Sequence, residues 1–294
     1  MYVAKQSGIN YAVYVPEHDR HSPRRLALMG ELRHAIENDQ LFLLYQPKID
    51  LQRASAIGVE ALVRWRHPHH GIIPPDEFIP LAERSGVIKS LTLWVLGEAL
   101  RQCRTWSQGG VQLSMAMNLS ARNLQDPLLP DRIAELLQAS GLEPGWLEFE
   151  ITESVIMAEP VRSMEILTRL RAMGIRFSID DFGTGYSSLG YLKKLPVDEI
   201  KIDRSFVIGM AANENDAVIV RSTIDLAHNL GLKVVAEGVE NQETLDRLID
   251  LGCDAAQGYY MSRPIPPAEL TRWLTESPWG LGSVSGEPRS PTDQ

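Results

Sequence analysis

Cysteine is nearly absent from this chain. Cys103 and Cys253 are the only two in 294 residues, and their spacing makes neither a disulfide framework nor a zinc pattern. Both read as small buried apolar residues, consistent with a reducing cytoplasm. No run of about 18 apolar residues occurs and no signal-peptide pattern is present, so the chain itself is not expected to span a membrane. The expected location is cytoplasmic, with membrane anchoring left to any longer parent. Positive charge is short: 29 Lys and Arg stand against 38 Asp and Glu, a net charge of -9. That balance disfavours a nucleic-acid polymer held through its phosphates. A small phosphorylated substrate stays open, because metal ions can supply local positive charge. The 44% hydrophobic content suits one large globular domain.

The most informative stretch is Arg176-Phe-Ser-Ile-Asp180-Asp181-Phe-Gly-Thr-Gly-Tyr-Ser-Ser188. A short apolar run delivers two adjacent carboxylates and then a glycine-punctuated turn, with a helix start expected at Ser187 or Ser188. Inside a strand, neighbouring side chains face opposite ways and one acid would be buried on the wrong side. At a strand end both can turn toward one pocket, and Gly183 and Gly185 permit a tight bend. Hard oxygen ligands of this kind suit Mg²⁺ or Mn²⁺ better than zinc. Asp181-Phe182-Gly183 also matches a kinase metal motif, but the glycine-rich loop and His-Arg-Asp loop of kinases are missing. Gly183-Thr184-Gly185 lacks the third glycine of a dinucleotide fingerprint. Alone, the stretch is equally a solvated loop.

The rest of the chain alternates. Leu26, Met29, Leu32, Ala35 and Ile36 mark one face of a helix over 24–38. Strands are expected at 41–49, 56–65, 111–119, 146–151, up to Asp180, 197–202, 232–236 and 255–258. Helices are expected at 75–85, 91–106, from a capping Asp131 to 138, 161–173, 216–230, from a capping Asn241 to 251, and 267–275. About eight strand–helix units in roughly 250 residues fit an α/β fold, a (β/α)₈ TIM-type barrel, better than an open sheet. The strand at 41–49 has no helix after it, so an antiparallel pair is expected at the start. Residues 277–294, rich in Gly, Ser and Pro, read as a disordered tail.

Polar residues fall at or near the C-terminal ends of these strands: Glu60, Asn118, Glu150, Asp180 with Asp181, Lys201, Glu237 and Gln257. A barrel gathers such ends into one mouth, where its chemistry takes place. Any one of them reads equally well as a cap or turn residue; the whole series does not. Carboxylates so crowded would repel one another without a cation, so a metal-dependent site is expected, with Lys201 orienting an anion or water. His67, His69 and His70, interleaved with Pro68 and Gly71, read as a solvated loop, and Trp65 as packing.

These residues carry a resemblance to the EAL-domain cyclic di-GMP phosphodiesterases over residues 24–276. The motifs stand in order as Glu60-Ala61-Leu62-Val63-Arg64-Trp65, Asn118-Leu119-Ser120, Glu150-Ile151-Thr152-Glu153, Asp180-Asp181-Phe182-Gly183-Thr184-Gly185, Lys201-Ile202-Asp203, Glu237-Gly238-Val239-Glu240 and Gln257-Gly258-Tyr259. The resemblance implies hydrolysis of cyclic di-GMP to linear 5'-pGpG with two ions, Mg²⁺ or Mn²⁺. Glu60, Asn118, Glu150 and Asp180 would bind the first ion, and Asp180 with Asp181 the second. Lys201 and Glu237 would hold and activate the water. Gln257 would hydrogen-bond near that cluster, Arg64 would contact a phosphate, and Gln46 and Leu62 would lie against the dinucleotide. Glu153 would anchor the loop from Asp181 to Ser188, whose following helix would mediate a homodimer. Residues 1–23 resemble the end of a GGDEF (diguanylate cyclase) domain followed by a linker, which would make such a domain the neighbour in a longer parent. Two rival classes remain: a non-hydrolysing cyclic di-GMP receptor, and an enolase-like acid–lysine barrel that abstracts a proton.

Overall fold

The first helix, α1 (Pro23–Glu37), leads into a hairpin of β1 (Leu41–Asp50) and β2 (Ser55–His67). The turn between these strands is too short for a crossover, so they pair antiparallel, from Leu41 opposite Trp65 to Asp50 opposite Ser55. A short β3 (Gly71–Ile73), which the residue pattern does not announce, folds back on the end of β2. The structure, a computed structural model, describes residues 23–184 and 189–281. The GGDEF-like start, Gly185 and the helix start at Ser187 or Ser188 therefore lie outside the described residues.

Parallel units follow. α2 (Pro75–Ser85) and α3 (Ile88–Gln108) lead to β4 (Ser114–Asn118). α4 (Ala121–Leu124) and α5 (Leu129–Ser140) lead to β5 (Leu147–Thr152), and α6 (Glu153–Ala158) with α7 (Pro160–Ala172) to β6 (Arg176–Phe182). A single turn, α8 (Leu189–Leu192), precedes β7 (Glu199–Ile202). α9 (Arg204–Gly209) and α10 (Glu214–Asn229) precede β8 (Lys233–Glu237), and α11 (Gln242–Asp250) precedes β9 (Ala255–Gln257). The final helix is α12 (Pro267–Glu276). The strands join in the order β1-β9-β8-β7-β6-β5-β4-β2, and the β1–β2 pairing closes the ring, leaving β3 outside it. The barrel is thus TIM-type, with β1 antiparallel to both neighbours. No helix among the described residues is long and apolar enough to cross a membrane.

Local chemistry sets the element ends. The Asn241 side chain accepts from Thr244 N–H and so caps α11 as its sequence suggests. Gly86 and Gly141 close α2 and α5 in the left-handed conformation. Asp131, in contrast, is not a cap. Pro130 sets the helix start at Leu129, and Asp131 sits inside the first turn, where it pairs with Arg169 at 2.7 Å.

Between barrel and helices the core is apolar, with Phe149, Phe177, Ile200 and Val234 fully buried on the outward faces of successive strands. The barrel interior is different. Lys48 Nζ lies 3.0 Å from Glu148 and 2.9 Å from Glu199, tying β1, β5 and β7 together across the barrel. Two residues nearer the mouth, on the same faces of the same strands, stand Gln46, Glu150 and Lys201. Side chains alternate along a strand, so this lower charged layer underlies an upper one.

Four expectations are corrected. The buried face of α1 is Leu28, Leu32 and Ala35, while Leu26 is 59% exposed. His67 is buried rather than solvated: its Nε2 lies 2.6 Å from Glu31 on α1, and its ring is 4.6 Å from that of His70. Burying an imidazole requires a polar partner, and α1 provides it. Residues 277–281 are packed rather than tail-like, with the Ala56 N–H donating to the Trp279 carbonyl at 2.9 Å. Asp131 is the fourth, as above.

Candidate active site

Lys201 is the hub of the mouth. Its Nζ stands 2.6 Å from Glu237, 2.8 Å from Glu150, 3.3 Å from Asp180 and 3.9 Å from Glu60. It is almost completely buried, on a strand held between β6 and β8. Asn118 donates to Glu60 at 3.0 Å and to Glu150 at 3.3 Å. Gln257 donates to Glu60 at 2.7 Å and to Gln46 at 3.0 Å, and Gln46 donates in turn to the Ser262 carbonyl at 3.0 Å. Residues from β1, β2, β4, β5, β6, β7, β8 and β9 thus form one connected cluster.

The Asp180–Asp181 pair reaches a common side through a backbone irregularity. Ile179 pairs with Ile200 but Phe182 pairs with Ile202, so β6 carries one extra residue against β7. Asp181 itself adopts φ 51, a left-handed conformation uncommon for a residue with a side chain. The result is a set of ligand oxygens on Asp180, Asp181 and Glu237 all within 4.8 Å of one another. Strict alternation would have sent Asp181 to the opposite face.

Electrostatics are strained in one direction. Burial, then the charge of Glu60, pushes Glu150 well above the usual carboxylate range. Burial, opposed by Lys201 and aided by Asp180 and Glu60, raises Glu237 to about 7. Burial, then Asp180 and Asp203, raises Asp181 to about 6. Lys201 shifts the other way: desolvation opposes its charge, but Asp180, Glu150, Glu237 and Glu60 together hold it well above the ordinary lysine value. One ammonium does not neutralise so many acids. The donor set of carboxylate oxygens with one amide fits hard divalent cations such as Mg²⁺ or Mn²⁺.

A cleft of about 190 Å³ opens over the cluster, lined by Gln46, Glu60, Leu62, Asp180, Glu237 and Gln257 together with Arg204, Gly238, Glu240, Gly258 and Tyr259. A larger, apolar hollow of about 410 Å³ lies between β2, β4, α2 and α3, and shares Leu62 with the cleft. Arg64 does not line either opening, and its guanidinium donates to the Val63 carbonyl at 2.9 Å. Glu153 opens α6 directly after β5, but the 185–188 part of the loop it would anchor lies outside the described residues. Sequence reasoning assigned no role to Arg204, Glu240 or Tyr259. Their signal was adjacency: each stands within three residues of Lys201, Glu237 or Gln257.

Comparison places this architecture. The EAL domain family model matches residues 29–264, and the chain belongs to the EAL-domain family. It is 46% identical over 272 residues to the bifunctional diguanylate cyclase/cyclic di-GMP phosphodiesterase MucR of Pseudomonas aeruginosa, covering 92% of this chain and 40% of that protein. Identity to the cyclic di-GMP phosphodiesterase NbdA of the same organism is 44% over 252 residues, covering 85% of this chain and 32% of NbdA. The chain therefore spans less than half the length of these curated relatives. Among solved structures, PaMucR phosphodiesterase in its c-di-GMP complex superposes with a TM-score of 0.80 at 47% identity, covering 83% of this chain and 99% of that one. The FimX EAL domain from Pseudomonas aeruginosa, bound to c-di-GMP, gives 0.75 at 28% identity, covering 81% and 96%.

Proposed function

We propose that this chain is a metal-dependent phosphodiesterase that hydrolyses cyclic di-GMP to linear 5'-pGpG. The observation that carries the reading is the Lys201 hub, in which Glu60, Glu150, Asp180 and Glu237 crowd one ammonium, with Asn118 and Asp181 beside them. Relatives named as cyclic di-GMP phosphodiesterases, and a similar structure that holds c-di-GMP, support the substrate.

Glu60, Asn118, Glu150, Asp180 and Asp181 would hold two divalent ions, which on binding supply positive charge to the phosphate and acidify a coordinated water. Lys201 orients the attacking water from below. Glu237, poised near neutrality by burial, accepts the water's proton. The water oxygen forms the new bond to phosphorus as the bond to the 3'-oxygen breaks. The leaving oxygen takes up a proton, yielding a 5'-phosphate and a free 3'-hydroxyl. Gln257 and Gln46 hold each other and Glu60 in place on the substrate side. The paired openings that meet at Leu62 suit an elongated ligand with two bases.

Two assembly features belong to the same reading. Residues 1–15 would be the end of a diguanylate cyclase domain in a longer parent, a view supported by the bifunctional naming of MucR. Homodimerisation runs through the region of α8, the single turn that follows the acid-pair loop. The deciding experiment incubates the chain with cyclic di-GMP, with Mg²⁺ or Mn²⁺ or a chelator, and separates the products chromatographically. Metal-dependent 5'-pGpG that disappears in Glu60→Ala supports the proposal. Tight binding without turnover would make the chain a receptor, and neither binding nor turnover would overturn the reading.

A further inference from the structure

Arg204 is an exposed cation over a cleft of carboxylates, yet it holds none of them. It directly follows Asp203 at the mouth end of β7, opens α9, and lines the same cleft as Asp180, Glu237 and Leu62. Among the described residues its guanidinium makes no ion pair and no side-chain hydrogen bond. Its charge acts on Asp203, but that carboxylate is already engaged by the Ser205 N–H at 3.0 Å and by the Ser205 hydroxyl.

The position of Arg204 is imposed by the backbone beside it. Gly238, immediately after Glu237, has φ 73, and a Cβ there would stand 2.5 Å from Arg204 Cβ and 3.2 Å from its Cα. Only a residue without a side chain lets the Arg204 stem lie against the end of β8. The stem is thereby fixed beside the proposed base Glu237, while the guanidinium remains free for a ligand. Its planar fork of five donors matches phosphate oxygens bidentately.

We infer that Arg204 binds one of the two phosphates of the cyclic dinucleotide. The inference rests on the phosphodiesterase reading above. The divalent ions would serve the phosphate under attack, so the other phosphate is left to a protein cation not already spent on protein acids. Lys201 is spent, with four carboxylates around it. Among the described residues Arg204 is the cation that lines the cleft and makes no ion pair, whereas Arg263 beside it is stacked on Tyr259, its guanidinium 4.3 Å from the ring centre.

Steady-state hydrolysis of cyclic di-GMP by the full chain at saturating Mg²⁺ tests this, comparing wild type with Arg204→Ala and Arg204→Lys at several ionic strengths. Loss of a charge-assisted hydrogen bond to phosphate raises KM of Arg204→Ala by roughly 10- to 100-fold, with kcat changed less than about threefold. The salt dependence of KM weakens, and Arg204→Lys recovers part of the loss by restoring charge without the fork. Because Arg204 is exposed, the thermal unfolding midpoint stays where it was. Wild-type turnover with an unchanged KM in Arg204→Ala overturns the inference alone, as does a fall in kcat accompanied by a lowered unfolding midpoint. Absence of wild-type turnover overturns the phosphodiesterase reading, and this inference with it.

Discussion

Glu148 and Glu150 stand on the same strand with their side chains on the same interior face of the barrel, and they titrate in opposite directions. Burial raises both. At Glu148 the Lys48 and Arg176 charges outweigh it and hold the carboxyl below its ordinary value. At Glu150 the neighbouring acids add to burial, and Lys201, shared among four carboxylates, does not compensate. In the lower layer Lys48 and Arg176 keep Glu148 ionised, while burial raises Glu199 beside the same ammonium. The upper layer is left with an excess of negative charge at the open end, the condition that a cation site requires.

The lower layer gives a stability prediction. Lys48, Glu148 and Glu199 are all buried, and removing the ammonium leaves two acids uncompensated. Lys48→Met should lower unfolding stability by about 3–5 kcal/mol in urea titration. The triple replacement Lys48→Met with Glu148→Leu and Glu199→Leu should regain most of that loss, since well-packed apolar groups substitute for buried ions at little net cost. A single variant within about 1 kcal/mol of wild type would show that the cluster does not hold the barrel.

In the upper layer, Lys201→Met removes the group that orients the water. Turnover should fall by roughly 10²- to 10⁴-fold, the range for losing a positioned proton-transfer or orienting group, with KM nearly unchanged. A comparable loss in KM instead of kcat would move Lys201 from catalysis to substrate binding.

The raised carboxyls set a pH dependence. Asp181 at about 6 and Glu237 at about 7 bind protons more tightly in the folded chain than in the unfolded one, where carboxyls titrate near 4. Below about pH 4 they are protonated in both states and cost nothing. As pH rises from about 4 through 7 the folded chain must ionise them against burial and repulsion, so their contribution turns destabilising and is complete above about 7. Lys201, with its value raised, stays charged throughout this window. Chelator-treated protein should therefore have a lower unfolding midpoint at pH 8 than at pH 5.5 from this site, and Mg²⁺ should reverse the difference with release of protons. An unfolding midpoint that rises with pH equally with and without Mg²⁺ would contradict it.

Much of this arrangement was legible in residue order because a barrel converts strand ends into neighbours. Glu150, Asp180, Lys201, Glu237 and Gln257 each close an apolar run, and the glycines and caps between them mark the crossovers. What was not legible came from contacts distant in sequence. His67 looks like a loop residue beside Pro68, and only the return of α1, with Glu31, shows why it is buried. The lower charged layer escaped notice because Lys48, Glu148 and Glu199 are separated by about 50 to 150 positions and carry no local signature. The extra residue in β6 could be anticipated only as a need, that both acids face one pocket, and not as a φ value at Asp181. Arg204 carried only its nearness to Lys201 as a signal, and its meaning lies in the bare Gly238 packed against it.

The last prediction concerns Gly258, which follows Gln257 at the end of β9. A Cβ there would stand 2.1 Å from the Val239 carbonyl oxygen and 2.3 Å from the Val239 nitrogen. Both atoms belong to backbone that cannot rotate away, because Val239 N–H donates to the Gln257 carbonyl and the Val239 carbonyl accepts from Tyr260. Gly258→Ala must therefore push β8 and β9 apart at the level where Glu237 lies opposite Gln257. Loss of more than about 2 kcal/mol of stability is expected, the scale of overpacking in a rigid site, together with a fall in turnover as Gln257 leaves Glu60. Gly97 in α3 is the control. An added Cβ meets nothing within 4 Å there, and Gly97→Ala should stabilise the chain by about 0.5–1 kcal/mol through helix propensity alone. Parallel urea titrations and turnover assays on the two variants separate these effects. Equal behaviour of the pair would show that the close approach at Gly258 is accommodated elsewhere in the barrel.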